Sequence, residues 1–184
     1  MPAKLIASAL VHNGNPLEKT NRPLTTVMHL AVSTDERTAL VDVLLEELKR
    51  RGHEVLYFGP QSEGETSDWP DVTLAAVEAV RSGAADEAIV TCWTGTGCSI
   101  AANKVPGIRA ALCRDAETAR GARIWNHANV LALSLRATSV AVLREVLDSW
   151  FETPLSDDAW NLRQIDRLRK LDGERAAREE RADT

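Results

Sequence analysis

Thr91-Cys-Trp-Thr-Gly-Thr-Gly-Cys-Ser-Ile-Ala-Ala-Asn-Lys104 is the stretch on which the reading of this 184-residue chain turns. Before it, Asp86-Glu-Ala-Ile-Val-Thr91 reads as a short buried strand, and Ser99-Ile-Ala-Ala-Asn-Lys104 opens a helix-compatible run. The order strand, glycine turn, helix predicts a loop at the carboxyl end of a strand in a parallel α/β sheet. Ligands bind there in open sheets, because loop amides and a helix start face the crevice and favour anionic groups. Gly95 and Gly97 let backbone amides approach a ligand closely, and Cys92 and Cys98 flank the turn as candidate nucleophiles or bases.

Outward from this loop, short apolar runs alternate with amphipathic segments from Met28 onward, the pattern of a parallel sheet sandwiched between helices. Strands are expected at 29–32, 54–58, 87–91, 108–112 and 130–133, and helices at 36–51, 71–82, 98–104, 116–125 and 139–151. In the first helix Leu40, Val43, Leu44 and Leu48 recur at helical spacing, and Gly52 supplies the cap. Residues 157–171 read as a further helix with Ile165, Leu168 and Leu171 on one side. Residues 1–27 form an extension with a short apolar run at 5–11 followed by a polar linker, and its role stays open between an extra strand, an arm and sequence upstream of a start at Met28. The charged tail 173–184 is expected to be a frayed helix or disordered.

A formal net charge of -5 and a pI near 5.4 argue against a nucleic-acid binder by bulk electrostatics. No apolar run approaches the roughly 20 residues of a membrane helix, and the N-terminus lacks the pattern of a secretory signal, so a soluble cytoplasmic protein is expected. Three cysteines make no disulfide framework, and the Cys92-x5-Cys98 spacing is not that of a zinc site. Free thiols and no metal are therefore expected. The loop also lacks the lysine-containing phosphate motif and the spaced glycine fingerprint of nucleotide-binding modules.

The segment resembles the type B ribose-5-phosphate isomerase and galactose-6-phosphate isomerase family, whose members carry a Cys-Gly-Thr-Gly-x-Gly-x-Ser-Ile-Ala-Ala-Asn-Lys run. The likeness continues through Val105-Pro-Gly-Ile-Arg-Ala-Ala-Leu-Cys113 and Asn129-Val-Leu-Ala-Leu133, and more loosely over residues 28–171. It implies a three-layer αβα Rossmann-like sandwich with a five-stranded parallel sheet and a C-terminal helical extension, occupying residues 28–172. It also implies a cofactor-independent aldose-ketose isomerase of a sugar phosphate, working as a homodimer with each site near the subunit interface.

Such an isomerase removes a proton next to a carbonyl, holds the enediolate and returns the proton to the neighbouring carbon. That needs a base and an oxyanion cradle. Cys92 matches the family's catalytic cysteine; Cys98 sits at a helix start where some members place a catalytic glutamate, so two candidate bases flank one loop. Gly95, Thr96 and Gly97 are expected to offer amides, Thr94 a hydroxyl, and Asn126, by resemblance, a hydrogen bond to the enediolate; helix capping is the alternative for Asn126. Asn103, within the matched run, joins the expected substrate-binding set.

The pattern also breaks. The family's Asp-His after the first strand is Asp35-Glu36 here, and its ring-opening histidine is Trp125, followed by Asn126 and His127. An indole cannot shuttle a proton at neutral pH, and His127 is expected either to substitute or to lie at the surface. Asp35, Glu36 and Asp68 are the remaining acids. The distal-phosphate segment keeps only Arg163, with Arg136 and Arg109 as further cations, while Trp69, Trp93 and Trp125 make the pocket more apolar. The altered residues point away from plain ribose 5-phosphate, towards an open-chain sugar phosphate such as a tetrulose phosphate. The alternatives are an isomerase of a nonphosphorylated sugar or uronate, and an inactive sugar-binding subunit of a paired complex.

Overall fold

The computed structural model describes residues 27–182, with 175–182 as helix backbone only, so the N-terminal extension and its apolar run lie outside the described residues. The elements run β1 (His29–Thr34), α1 (Ala39–Arg50), β2 (Glu54–Phe58), α2 (Trp69–Arg81), β3 (Glu87–Cys92), α3 (Thr96–Ala102), β4 (Ala110–Leu112), α4 (Ala116–Asn126), β5 (Val130–Ser134), α5 (Val140–Glu152) and α6 (Ala159–Ala182). All five strands are parallel, in the order β2-β1-β3-β5-β4.

The three layers follow from which way each strand residue points. Leu30 and Val32 of β1, Ile89 of β3 and Leu131 and Leu133 of β5 pack with Leu44, Leu48, Ala122, Leu143 and Leu147 from α1, α4 and α5. The alternate residues Ala31, Ala88, Val90 and Ala132 are small and pack with Ala76, Val77, Cys98 and Ala102 from α2 and α3. Small side chains on that face let α3 lie close to the sheet, and Cys92 belongs to it. The foot of β3 is held by Glu87, which accepts a 2.7 Å hydrogen bond from Trp150 Nε1 and pairs with Arg123 at 2.8 Å.

Several boundaries differ from expectation for local reasons. α1 starts at Ala39 rather than 36, because Glu36 bridges Thr66 and Thr38 is extended, its carbonyl accepting the amides of Val41 and Asp42. α2 starts early at Trp69, where Pro70 suits the first turn. β4 is shorter than 108–112: the Ile108 amide still closes a turn on Val105, and that of Arg109 goes to the Asn129 side chain. The tail takes the helical alternative. α6 continues to Ala182, since one glycine at 173 costs only about 1 kcal/mol in a run of strong helix formers.

Candidate active site

The chain leaves β1 towards one side of the sheet and β3 towards the other, so a crevice opens at their carboxyl ends. The register Thr34↔Thr91 sets the next residues, Asp35 and Cys92, side by side across that crevice. A segment after β2 folds over the β1 end: the Ser67 amide donates to the Asp35 carbonyl at 2.8 Å, and Trp69 lies against Gly97, where a Cβ would come within 3.2 Å of its ring. Asp68 is exposed at the start of α2.

The turn after Cys92 is rigid. The Cys92 carbonyl accepts the amides of Gly95 (3.2 Å) and Leu135 (3.0 Å), and the Trp93 carbonyl accepts Arg136 N–H (3.1 Å) and Ser134 Oγ–H (3.0 Å). The Thr94 and Thr96 hydroxyls are exposed and lie 2.5 Å apart, so together they offer a hydroxyl pair at the crevice mouth. Trp93 is solvent-exposed at the rim, beside exposed Arg136.

This loop turns Cys92 into a thiolate. Hydrogen bonding from the Cys98 thiol, opposed by burial and assisted by the backbone N–H groups of Cys98, Gly95 and Thr94, holds Cys92 down at about 5. Cys98 is fully buried, and its S–H also faces the carbonyls of Gly95 at 3.2 Å and Val90 at 3.6 Å. The Cys92 hydrogen bond, burial and the Cys92 charge all push Cys98 far above the ordinary thiol range. The two sulfurs share one proton, which stays on Cys98. Asp35 is pushed up by burial and by the Cys92 charge, and its Oδ1 is buried without a hydrogen-bond partner.

Gly95 is the hinge of the arrangement. Its φ of +76° is left-handed, and a Cβ there would lie 2.5 Å from Leu112 Cδ1 and 2.9 Å from the Leu133 carbonyl carbon. Gly95→Ala should therefore cost about 2 to 5 kcal/mol from backbone strain and overpacking together. Chemical denaturation checks the stability loss, and thiolate absorbance at neutral pH checks whether the amides still reach Cys92; it should fall.

The remaining expected residues gather elsewhere. Asn126 is exposed at the last turn of α4, just before β5 begins, and the Asn129 carbonyl bonds Ala88 at the foot of β3. Four strand residues, about 13 Å, separate that level from Cys92. Trp125 folds over Gly121 and, with Asn103, Asn126, Leu168 and Leu171, lines a groove of about 700 Å³ between β4, α4 and α6. The Asn103 side chain is occupied there, donating to the carbonyls of Ser99 and Ala110 and accepting the Ala110 amide. Arg163 is exposed on α6. Arg109 is structural, its guanidinium donating to the carbonyls of His127 and Gly107.

His127 is not at the surface: it is 3% exposed, takes the left-handed conformation that ends α4, and its Nε2 lies 2.8 Å from the Ser156 carbonyl. The capping role weighed for Asn126 thus belongs to its neighbour. Sequence reasoning missed Ser134, which clamps the Trp93 carbonyl, and the pairing of Asp35 with Cys92; both depend on strand order, which no local motif encodes.

The chain matches the Ribose/Galactose Isomerase family over residues 30–171. It is 40% identical over 126 residues to the galactose-6-phosphate isomerase subunit LacB of Clostridium acetobutylicum, covering 67% of this chain and 72% of that protein. It is 32% identical over 127 residues to the D-erythrulose-4-phosphate isomerase of Pectobacterium atrosepticum, covering 68% and 84%. Among solved structures, ribose-5-phosphate isomerase B of Clostridium thermocellum superposes with a TM-score of 0.75 at 36% identity, covering 80% of this chain and 99% of that one.

Proposed function

The chain belongs to the ribose/galactose isomerase family, and we propose that this aldose-ketose isomerase of sugar phosphates works with Cys92 as its base on an open-chain substrate. The observation that carries the reading is the place of Cys92 at the carboxyl end of β3, beside Asp35 and above the buried Cys98 thiol, where its surroundings favour the thiolate. The thiolate takes a proton from the carbon next to the carbonyl and returns it to the neighbouring carbon. Asp35, raised from the ordinary carboxylate value by burial and by the adjacent sulfur charge, stands beside Cys92 as the candidate partner for proton exchange with the substrate oxygens. The Thr94 and Thr96 hydroxyls and the Gly97 amide complete the cradle, with Asp68 and Glu36 at its margin.

The open-chain preference rests on two residues. Trp125 has no proton to exchange at neutral pH, and the His127 ring is turned into the protein against Ser156. A ketotetrose phosphorylated on its terminal oxygen has no hydroxyl left to close a five-membered ring, so it needs no ring opening. The named D-erythrulose-4-phosphate isomerase among the relatives supports the same substrate class. Arg136, exposed next to the loop and bonded through its amide to the Trp93 carbonyl, is the candidate cation for the phosphate.

Asn126 lies at the opposite end of the sheet from Cys92 and Arg163 is exposed on α6, and we assign both to the site of a partner copy in a homodimer. Exposed Trp125, Leu168 and Leu171 around the groove supply an apolar surface for that contact. No helix among the described residues is long and apolar enough to cross a membrane. The three free cysteines suit a reducing compartment such as the cytoplasm.

The test is a panel of tetrulose 4-phosphates, pentose 5-phosphates and uronates in deuterated water, followed by NMR for product and carbon-bound deuterium. A tetrulose phosphate is expected to show kcat/KM at least about tenfold above ribose 5-phosphate. Equal or better turnover of ribose 5-phosphate would overturn the substrate assignment, and exchange with none would favour the binding-subunit reading.

A further inference from the structure

The Cys98 thiol that supports the Cys92 thiolate also packs against the strand that carries it: its Sγ lies 3.6 Å from the carbonyl of Val90, which shares the Cys92 face of β3, and 3.2 Å from that of Gly95, whose amide bonds the Cys92 carbonyl. Both cysteines are buried in the same cluster under α3, with Cys92 5% exposed and Cys98 0% exposed. Cys113, the remaining cysteine, packs in the cluster on the opposite face of the sheet and cannot reach either. We propose that Cys92 and Cys98 form a peroxide-sensitive thiol pair that closes to a disulfide and reversibly locks the enzyme in an inactive state.

The chemistry runs in two steps. The Cys92 thiolate attacks one oxygen of hydrogen peroxide; the S–O bond forms, the O–O bond breaks and hydroxide leaves, which takes up a proton to become water. The Cys98 sulfur then displaces the hydroxyl from Cys92; the S–S bond forms, the S–O bond breaks, and the Cys98 proton leaves with the hydroxyl as a second water. The peroxide takes up the two electrons that the thiols lose. The first step also prepares the second. The Cys92 charge is one of the causes that keep Cys98 protonated, and it is lost once Cys92 is a neutral sulfenic acid.

The pair controls the reaction by removing its base. A disulfide leaves no thiolate in the crevice, and it protects Cys92 from further, irreversible oxidation. Access is available in the active enzyme, since a site that admits a sugar carbon to Cys92 also admits peroxide. The inference rests on the assignment of Cys92 as the reactive thiolate, and mass and activity are read separately so that the two can fail separately.

The full-length protein is treated with hydrogen peroxide, quenched with an alkylating agent, and followed by intact mass, peptide mapping and deuterium exchange on its best substrate. The expected result is a loss of about 2 Da mapped to Cys92–Cys98, with exchange lost by at least about tenfold and recovered with dithiothreitol. Cys113→Ala should behave the same way, whereas Cys98→Ala should gain oxygen on Cys92 and not recover fully. Oxygen addition to Cys92 without the disulfide in the unsubstituted protein, or no mass change, would overturn the proposal. So would a disulfide that leaves exchange intact. A disulfide formed in a protein that turns over no sugar phosphate before oxidation would uphold the thiol pair and overturn the isomerase assignment of the site.

Discussion

Cys92→Ala is expected to reduce turnover and carbon-bound deuterium exchange by at least about a thousandfold, the usual scale for losing a positioned base, while leaving the fold intact. The side chain is small and ends a strand, so circular dichroism and a cooperative denaturation curve should survive the change. Activity retained in this variant and lost in Cys98→Ala would transfer the base to Cys98. The protonation state gives an independent check. Burial pushes Cys113 up to about 12, and Cys98 stays protonated higher still, so thiolate absorbance near neutral pH belongs to Cys92 alone. It should titrate with a midpoint near 5, and kcat/KM should fall below that pH. Cys98→Ala removes the largest cause of the lowered value, so the midpoint should move up by at least about one unit.

The same titration has a stability consequence. The folded-state value of Cys92 lies below its ordinary 9.0, so its contribution is fully present above 9.0 and is lost as pH falls through about 5. The stability difference between the unsubstituted protein and Cys92→Ala should therefore widen as pH rises from 5 to 9. Cys98 carries the opposite sign: its raised value contributes below its ordinary range and loses that contribution only in strong alkali. Denaturation curves of both variants across this range separate the two.

Mixing two inactive variants should restore activity. Cys92→Ala removes the base at one end of the sheet and Asn126→Ala removes the amide at the other, about 13 Å lower by strand rise. If each site takes Cys92 from one copy and Asn126 from its partner, a mixed dimer holds one site with both residues intact. After the subunits are exchanged in equal amounts, half of the dimers are mixed and each has one working site, so activity should recover to about a quarter of the unsubstituted protein. Recovery absent in a mixture that sizing shows to be dimeric would mean that Asn126 acts within its own chain or not at all.

Much of the architecture was legible because it is local. Strand and helix periodicity placed the five strands and the first five helices within a few residues, and the order strand, glycine turn, helix placed the loop. The failures have local causes too: the antiparallel bridge at Glu36 delayed α1, and the Asn129 side chain took the Arg109 amide from β4. His127 was misjudged because helical spacing gives direction around the axis but not the left-handed twist that turned its ring against Ser156.

From the sequence alone came the loop, its two cysteines, the family resemblance and the missing ring-opening histidine, all of which are matters of residue type and spacing along the chain. Only the tertiary structure distinguishes which cysteine favours the charged form, because that depends on amides and a buried thiol converging on one sulfur. It also decided that Asp35 stands beside Cys92 and that Asn126 stands at the far end of the sheet. Both follow from strand order and direction, which hydrophobic burial selects globally and no short segment encodes.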